Sequence, residues 1–167
     1  MAASAGVALD TADTRQYIQK HRLWLVAEYL SKELMERHVS NTKDKDVPVY
    51  DFIIEKLDAI KKKGPPEALD APPSDLSGNS KAKEYAAKSG IADAMEQWLR
   101  ACLELKPAMP FEFSEAYFTH RKEGQTHAEA ARNAAQANHA LAAKEAPAAD
   151  ADAAAKPAAE DEAMAAL

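Results

Sequence analysis

Cysteine is nearly absent: Cys102 is the single one in 167 residues. One cysteine excludes an internal disulfide and a cysteine-based zinc site, and it fits an intracellular chain in which Cys102 is a small buried hydrophobe. An excess of positive charge is also missing. The formal charge is -6, which removes any general attraction to phosphate backbones or anionic lipid, so neither nucleic acid nor membrane is expected as a partner. No stretch approaches the roughly 20 apolar residues that a membrane span requires, and the opening Met1-Ala2-Ala3-Ser4-Ala5-Gly6 lacks the basic and apolar regions of a signal peptide. These features together read as a soluble protein of cytosol, nucleus or cilium. There is no glycine-rich phosphate loop, no Gly-x-Ser-x-Gly elbow and no close histidine pair. His21, His38, His120, His127 and His139 are scattered, and His120 reads as a solvated surface residue. No catalytic residue, cofactor or metal ligand is therefore assigned.

The chain is 47% hydrophobic, but much of that count is alanine. Alanine favours helix and buries little area, so the large apolar residues, mostly between Tyr17 and Phe118, must carry the packing. Residues 1–12 form a loose arm. From Asp13, with Gln16 as an approximate capping partner, helix-favouring residues run without glycine or proline to about His38, which predicts one long helix. Leu23, Ala27, Leu30 and Leu34 keep one face apolar, widened by Val26. A polar loop over 40–46 leads to Pro48, which opens a second helix reaching about Lys62. Lys61, Lys62 and Lys63 are expected to cap that helix and stay solvated. Residues 63–80, with four prolines, are a linker.

The layout then repeats, with a helix from about Lys81 to Leu105, a turn through Pro107 and Pro110, and a helix from Phe111 to about Lys122. Laying Tyr17 over Tyr85, an offset of 68, aligns two Tyr-x-x-Lys-x-x-apolar frames. At the same offset Leu23, Ala27, Leu30 and Leu34 fall on Ile91, Met95, Trp98 and Cys102, so the buried stripe keeps its phase. Thr126 and Glu129 form a capping box ahead of an alanine-rich helix over about 127–145, which is marginal unless something holds it. Beyond Glu145 the alanine, proline and acidic composition reads as disordered when free.

On these residues each unit resembles the RIIa-type dimerisation/docking domain, found at the start of cAMP-dependent kinase regulatory subunits, in Dpy-type adaptors of histone methyltransferase complexes and in ciliary proteins. Tyr17-Ile-Gln-Lys-His-Arg-Leu23 and Pro48 through Leu57 are similar to the ciliary members. Tyr85-Ala-Ala-Lys-Ser-Gly-Ile91 is similar to the Myc-binding protein branch, and Lys106-Pro107 through Phe113 and Tyr117-Phe118 resemble the RIIa second helix. The chain departs from the family in its longer first loop and in Met109, which replaces the customary acid before Pro110.

The resemblance implies an all-α fold. Two helix-turn-helix hairpins, residues 13–62 and 81–122, would form an X-type four-helix bundle followed by an alanine-rich tail over 123–167. A hairpin of about 40 residues cannot bury its apolar stripe alone. The two copies pair within the chain, or each pairs with another docking-domain protein. Either way the first helices form a groove for the amphipathic helix of a larger protein. Ile18, Leu23, Trp24, Val26, Ala27 and Leu30 in the first copy, and Ile91, Ala94, Met95 and Trp98 in the second, are the candidates for core and groove. Trp98 falls on the stripe, whereas Trp24 lies beside it, as core or as a contact at the rim. The implied role is a structural adaptor in the axoneme of a motile cilium or flagellum. The alternatives are an anchoring subunit for cAMP-dependent kinase-type complexes, and a chromatin adaptor of the Dpy type.

Overall fold

A computed structural model describes residues 11–40, 47–63, 76 and 78–154. The fold is all-α: the described residues form seven helices and no strand. Most of the N-terminal arm, the loop after Ser40, most of the linker and the last thirteen positions lie outside the described residues.

The expected first helix is two helices. α1 (Ala12–His21) and α2 (Leu23–Ser40) meet at Arg22, which sits in the left-handed region at φ 51. The second copy breaks at the equivalent place, where Gly90 at φ 69 separates α4 (Ser80–Ser89) from α5 (Ile91–Leu105). Between them α3 spans Val49–Lys63. One left-handed residue ends a helix and turns the next one away, because its backbone cannot continue the right-handed path. The caps match too. Thr11, rather than Asp13, closes α1 by accepting from the Thr14 amide at 3.2 Å, and Asn79 closes α4 by accepting from Ala82 at 3.0 Å. All three correspondences hold the offset of 68.

Reciprocal bonds tie the copies together. The Tyr17 hydroxyl donates to the Pro107 carbonyl at 2.9 Å, and the Tyr85 hydroxyl donates to the Val47 carbonyl at 2.7 Å. Each tyrosine on a leading helix thus holds the loop of the other hairpin. Lys106 pairs with Asp13 at one end, and His38 stacks on Tyr85 at 3.8 Å at the other. The start of α2 therefore lies beside the end of α5, and these helices run antiparallel in contact. α3 packs on α6 (Pro110–Lys122), also antiparallel, since Lys61 pairs with Glu115 and Lys122 with Asp51. Lys61 stays exposed, as expected of the lysine run, and is in addition an inter-helix partner, because α6 brings a carboxylate within 2.5 Å.

The core forms where these faces meet. Leu23, Val26, Leu30 and Leu34 of α2 join Phe52, Ile53 and Leu57 of α3 and Trp98 and Cys102 of α5. From α6 come Phe113, Tyr117 and Phe118. Trp98 is fully buried, and its indole N–H donates to Ser114 at 2.8 Å, so no polar atom of the ring is left unpaired. Burial raises the Cys102 thiol well above its ordinary range, which keeps it protonated.

α7 (His127–Ala154) extends nine residues beyond the expected end of its helix. It is held by α6, against which Ala130, Ala131 and Ala134 are buried. Small side chains allow close approach there, which supplies the support a weakly apolar helix lacks by itself. Asn138 adds a two-point bond, accepting from the Met109 amide at 3.3 Å and donating to its carbonyl at 2.6 Å. The expected capping box is present: the Thr126 amide donates to Glu129 at 2.9 Å, and the Glu129 amide to Thr126 at 3.4 Å.

A Cβ at Gly90 meets nothing within 4 Å, so Gly90→Ala should cost about 1 kcal/mol through backbone strain alone, whereas Arg22→Gly should be neutral or stabilising by up to about 1 kcal/mol. Urea unfolding of the pair checks both signs. His127 is bonded to the Tyr117 hydroxyl at 2.7 Å, and its pKa is lowered by burial and then by the Arg121 guanidinium. The unfolded chain takes up this proton first, so stability is complete above about pH 6.5 and falls as pH drops below it. Tm should be lower at pH 5.5 than at pH 7.5, and His127→Gln should reduce the difference.

Candidate functional site

A groove of about 550 Å³ runs between α2 and α5, bordering the core at Ala27 and Met95. Trp24, Ala27, Glu28 and Ser31 form one wall. Ala92, Met95, Glu96, Leu99, Arg100 and Leu103 form the other. Both walls follow the i, i+3, i+4, i+7 spacing of one helix face, because two antiparallel helices in contact leave a trough along their seam. At the offset of 68 the first wall falls on Ala92, Met95, Glu96 and Leu99, so the trough is built twice from equivalent positions.

The lining is mainly apolar. Its charges sit on the rims as equivalent pairs, Glu28 with Lys32 at 2.5 Å and Glu96 with Arg100 at 3.4 Å. Such exposed pairs, four residues apart, contribute only about 0.3–0.5 kcal/mol each and exchange partners readily. Ser31 donates to the Ala27 carbonyl at 2.8 Å, which satisfies its hydroxyl within the helix.

Of the ten residues singled out from sequence, three line this groove: Trp24, and Ala27 and Met95, which are also buried members of the core. Trp24 is 64% exposed and stands on the rim, so the core alternative for it is excluded. Leu23, Val26, Leu30, Ile91, Ala94 and Trp98 are buried in the interior, and Ile18 is half-buried on α1, away from the groove. Changing Leu23 or Ile91 to Asp would therefore test folding rather than docking. Sequence reasoning missed Glu28, Ser31, Ala92, Glu96, Leu99, Arg100 and Leu103. The signal that finds them is the strip next to the apolar stripe, carried between copies at the offset of 68. His120 is half-buried rather than solvated, 3.3 Å from Glu123 and 3.2 Å from Gln125, because the turn after α6 folds back over it.

A second depression, between the end of α5 and α7, is lined by Leu105, His127, Arg132, His139 and several alanines, and is more polar. No cluster of three or more His, Cys, Asp or Glu among the described residues is placed to hold a metal ion, and no described helix is long and apolar enough to cross a membrane. The chain matches no protein-family model, and neither curated proteins nor solved structures yield a match.

The two tryptophans should separate cleanly. Trp98→Ala is expected to cost about 3–5 kcal/mol, whereas Trp24→Ala should change stability by no more than about 0.5 kcal/mol. In Trp98→Phe the remaining emission, from Trp24, should be red-shifted and open to acrylamide quenching. In Trp24→Phe it should be blue-shifted and shielded.

Proposed function

We propose that this protein is a non-enzymatic docking adaptor whose groove between α2 and α5 captures the apolar face of an amphipathic helix from a larger protein. The observation that carries this reading is an apolar trough with a largely exposed tryptophan on its rim. A large aromatic left in water gains from being covered, and tryptophan is enriched where binding energy concentrates. The trough lies along two helices, which suits a third helix laid between them more than an extended strand, since the exposed walls offer no unpaired backbone for a strand to bond. The resemblance of both hairpins to the RIIa-type unit supports the same reading. It also supports a partner in the axoneme of a motile cilium or flagellum.

The test is capture from solubilised axonemes with the full-length protein, followed by synthesis of the captured protein's amphipathic segment and measurement of its affinity. Trp24→Ala and Ala92→Asp each change an exposed groove residue and should weaken binding about tenfold or more while leaving Tm in place. Unchanged affinity in both variants would show that the groove is not the docking surface. Exclusive recovery of histone methyltransferase or kinase regulatory subunits would remove the axonemal assignment.

A further inference from the structure

α1 and α4 occupy equivalent places at the offset of 68, yet they are held unequally. Thr14 and Tyr17 stand where α4 has Ala82 and Tyr85. Both of those α4 residues are buried, whereas on α1 only Thr14 is, with its hydroxyl bonded to that of Thr11 at 2.8 Å. Tyr17 and Ile18 stay half-buried. α1 therefore covers little apolar surface, and apolar burial is the main resistance to releasing a helix. Strain collects at the same helix. Among the described residues, two other than glycine have a left-handed backbone, Arg22 at φ 51 and Lys106 at φ 43. They meet the two ends of α1: Arg22 follows its last residue, and Lys106 pairs with Asp13 in its first turn. The equivalent break before α5 falls on Gly90, which takes that backbone without a Cβ clash.

We propose that α1 is a detachable strap, which undocks as one unit about Arg22 and frees the Lys106–Pro107 turn while the rest of the bundle stays folded. Docked, α1 braces that turn, because Tyr17 donates to the Pro107 carbonyl at 2.9 Å and Asp13 pairs with Lys106. Undocking gives up this hydrogen bond and a largely exposed ion pair, uncovers little apolar surface, and lets both left-handed residues relax. α4 stays in place, since Tyr85 is buried, bonded to the Val47 carbonyl and stacked on His38. The strap couples the first helix to the turn between α5 and α6, two places 90 residues apart in the chain. Strained backbone concentrated at a segment that can move is the usual mark of a switch, and local opening draws on the least buried elements of a fold.

Native-state hydrogen exchange of the full-length protein, read by NMR in increasing but sub-denaturing urea, tests this. The amides of Gln16 to His21 should share one protection factor with the Lys106 amide, which donates to the Cys102 carbonyl at 2.9 Å. That factor should be about tenfold or more below the factor of the equivalent amides, Glu84 to Ser89, and nearly independent of urea. Tyr17→Phe removes the hydroxyl tie and should lower the shared protection about fivefold at both places. Arg22→Gly, at an exposed position, should raise it about threefold by removing strain from the docked state. Protection that climbs steadily from Gln16 to His21 with Lys106 unaffected is fraying, and equal protection of α1 and α4 is global unfolding. Either result overturns the strap. A Tyr17→Phe effect confined to α1 overturns its coupling to the turn.

Discussion

Phe52, Ile53 and Leu57 on α3 and Phe113, Tyr117 and Phe118 on α6 have to leave water, and neither hairpin has a second layer to cover them. Packing α3 against α6 places each face on the other, and the remaining geometry follows. The first helices are drawn together on the same side, their stripes fill the interior with Trp98 at its centre, and their other edges are left to form a trough. The groove is thus the outer consequence of an inner requirement. A helix that gives one strip to the core still has a neighbouring strip to present to solvent or to a partner.

Two reciprocal bonds make the arrangement specific. Hydrophobic burial by itself does not choose register, because apolar stripes slide past one another at modest cost. Tyr17 on Pro107 and Tyr85 on Val47 do choose it, since each hydroxyl must reach one carbonyl in the other hairpin's loop. The left-handed breaks at Arg22 and Gly90 aim the short leading helices so that those hydroxyls arrive. α7 adds a third layer on α6, where Ala130, Ala131 and Ala134 approach closely and Asn138 brackets the Met109 peptide.

Much of this was legible in the amino-acid order. The apolar stripe from Leu23 to Leu34, its echo from Ile91 to Cys102, the opening prolines and the Thr126 capping box all rest on local spacing, and local spacing survives folding. The break at Gly90 could have been expected from a glycine. The one at Arg22 could not, because arginine carries no preference for a left-handed backbone. The length of α7 was also out of reach, since alanine favours helix without saying what will support it.

The sequence by itself determined that the chain is helical, that it contains two related hairpins, and which strip of each helix is apolar, because those properties depend on residues three or four apart. Only the tertiary structure decided which apolar residues are interior and which form a surface. Leu23 and Trp24 are neighbours in the chain and both are apolar, yet one is sealed in the core and the other stands in water at the rim of the groove. The difference is an angle of about 100° around one helix. It acquires meaning only when α5 arrives alongside.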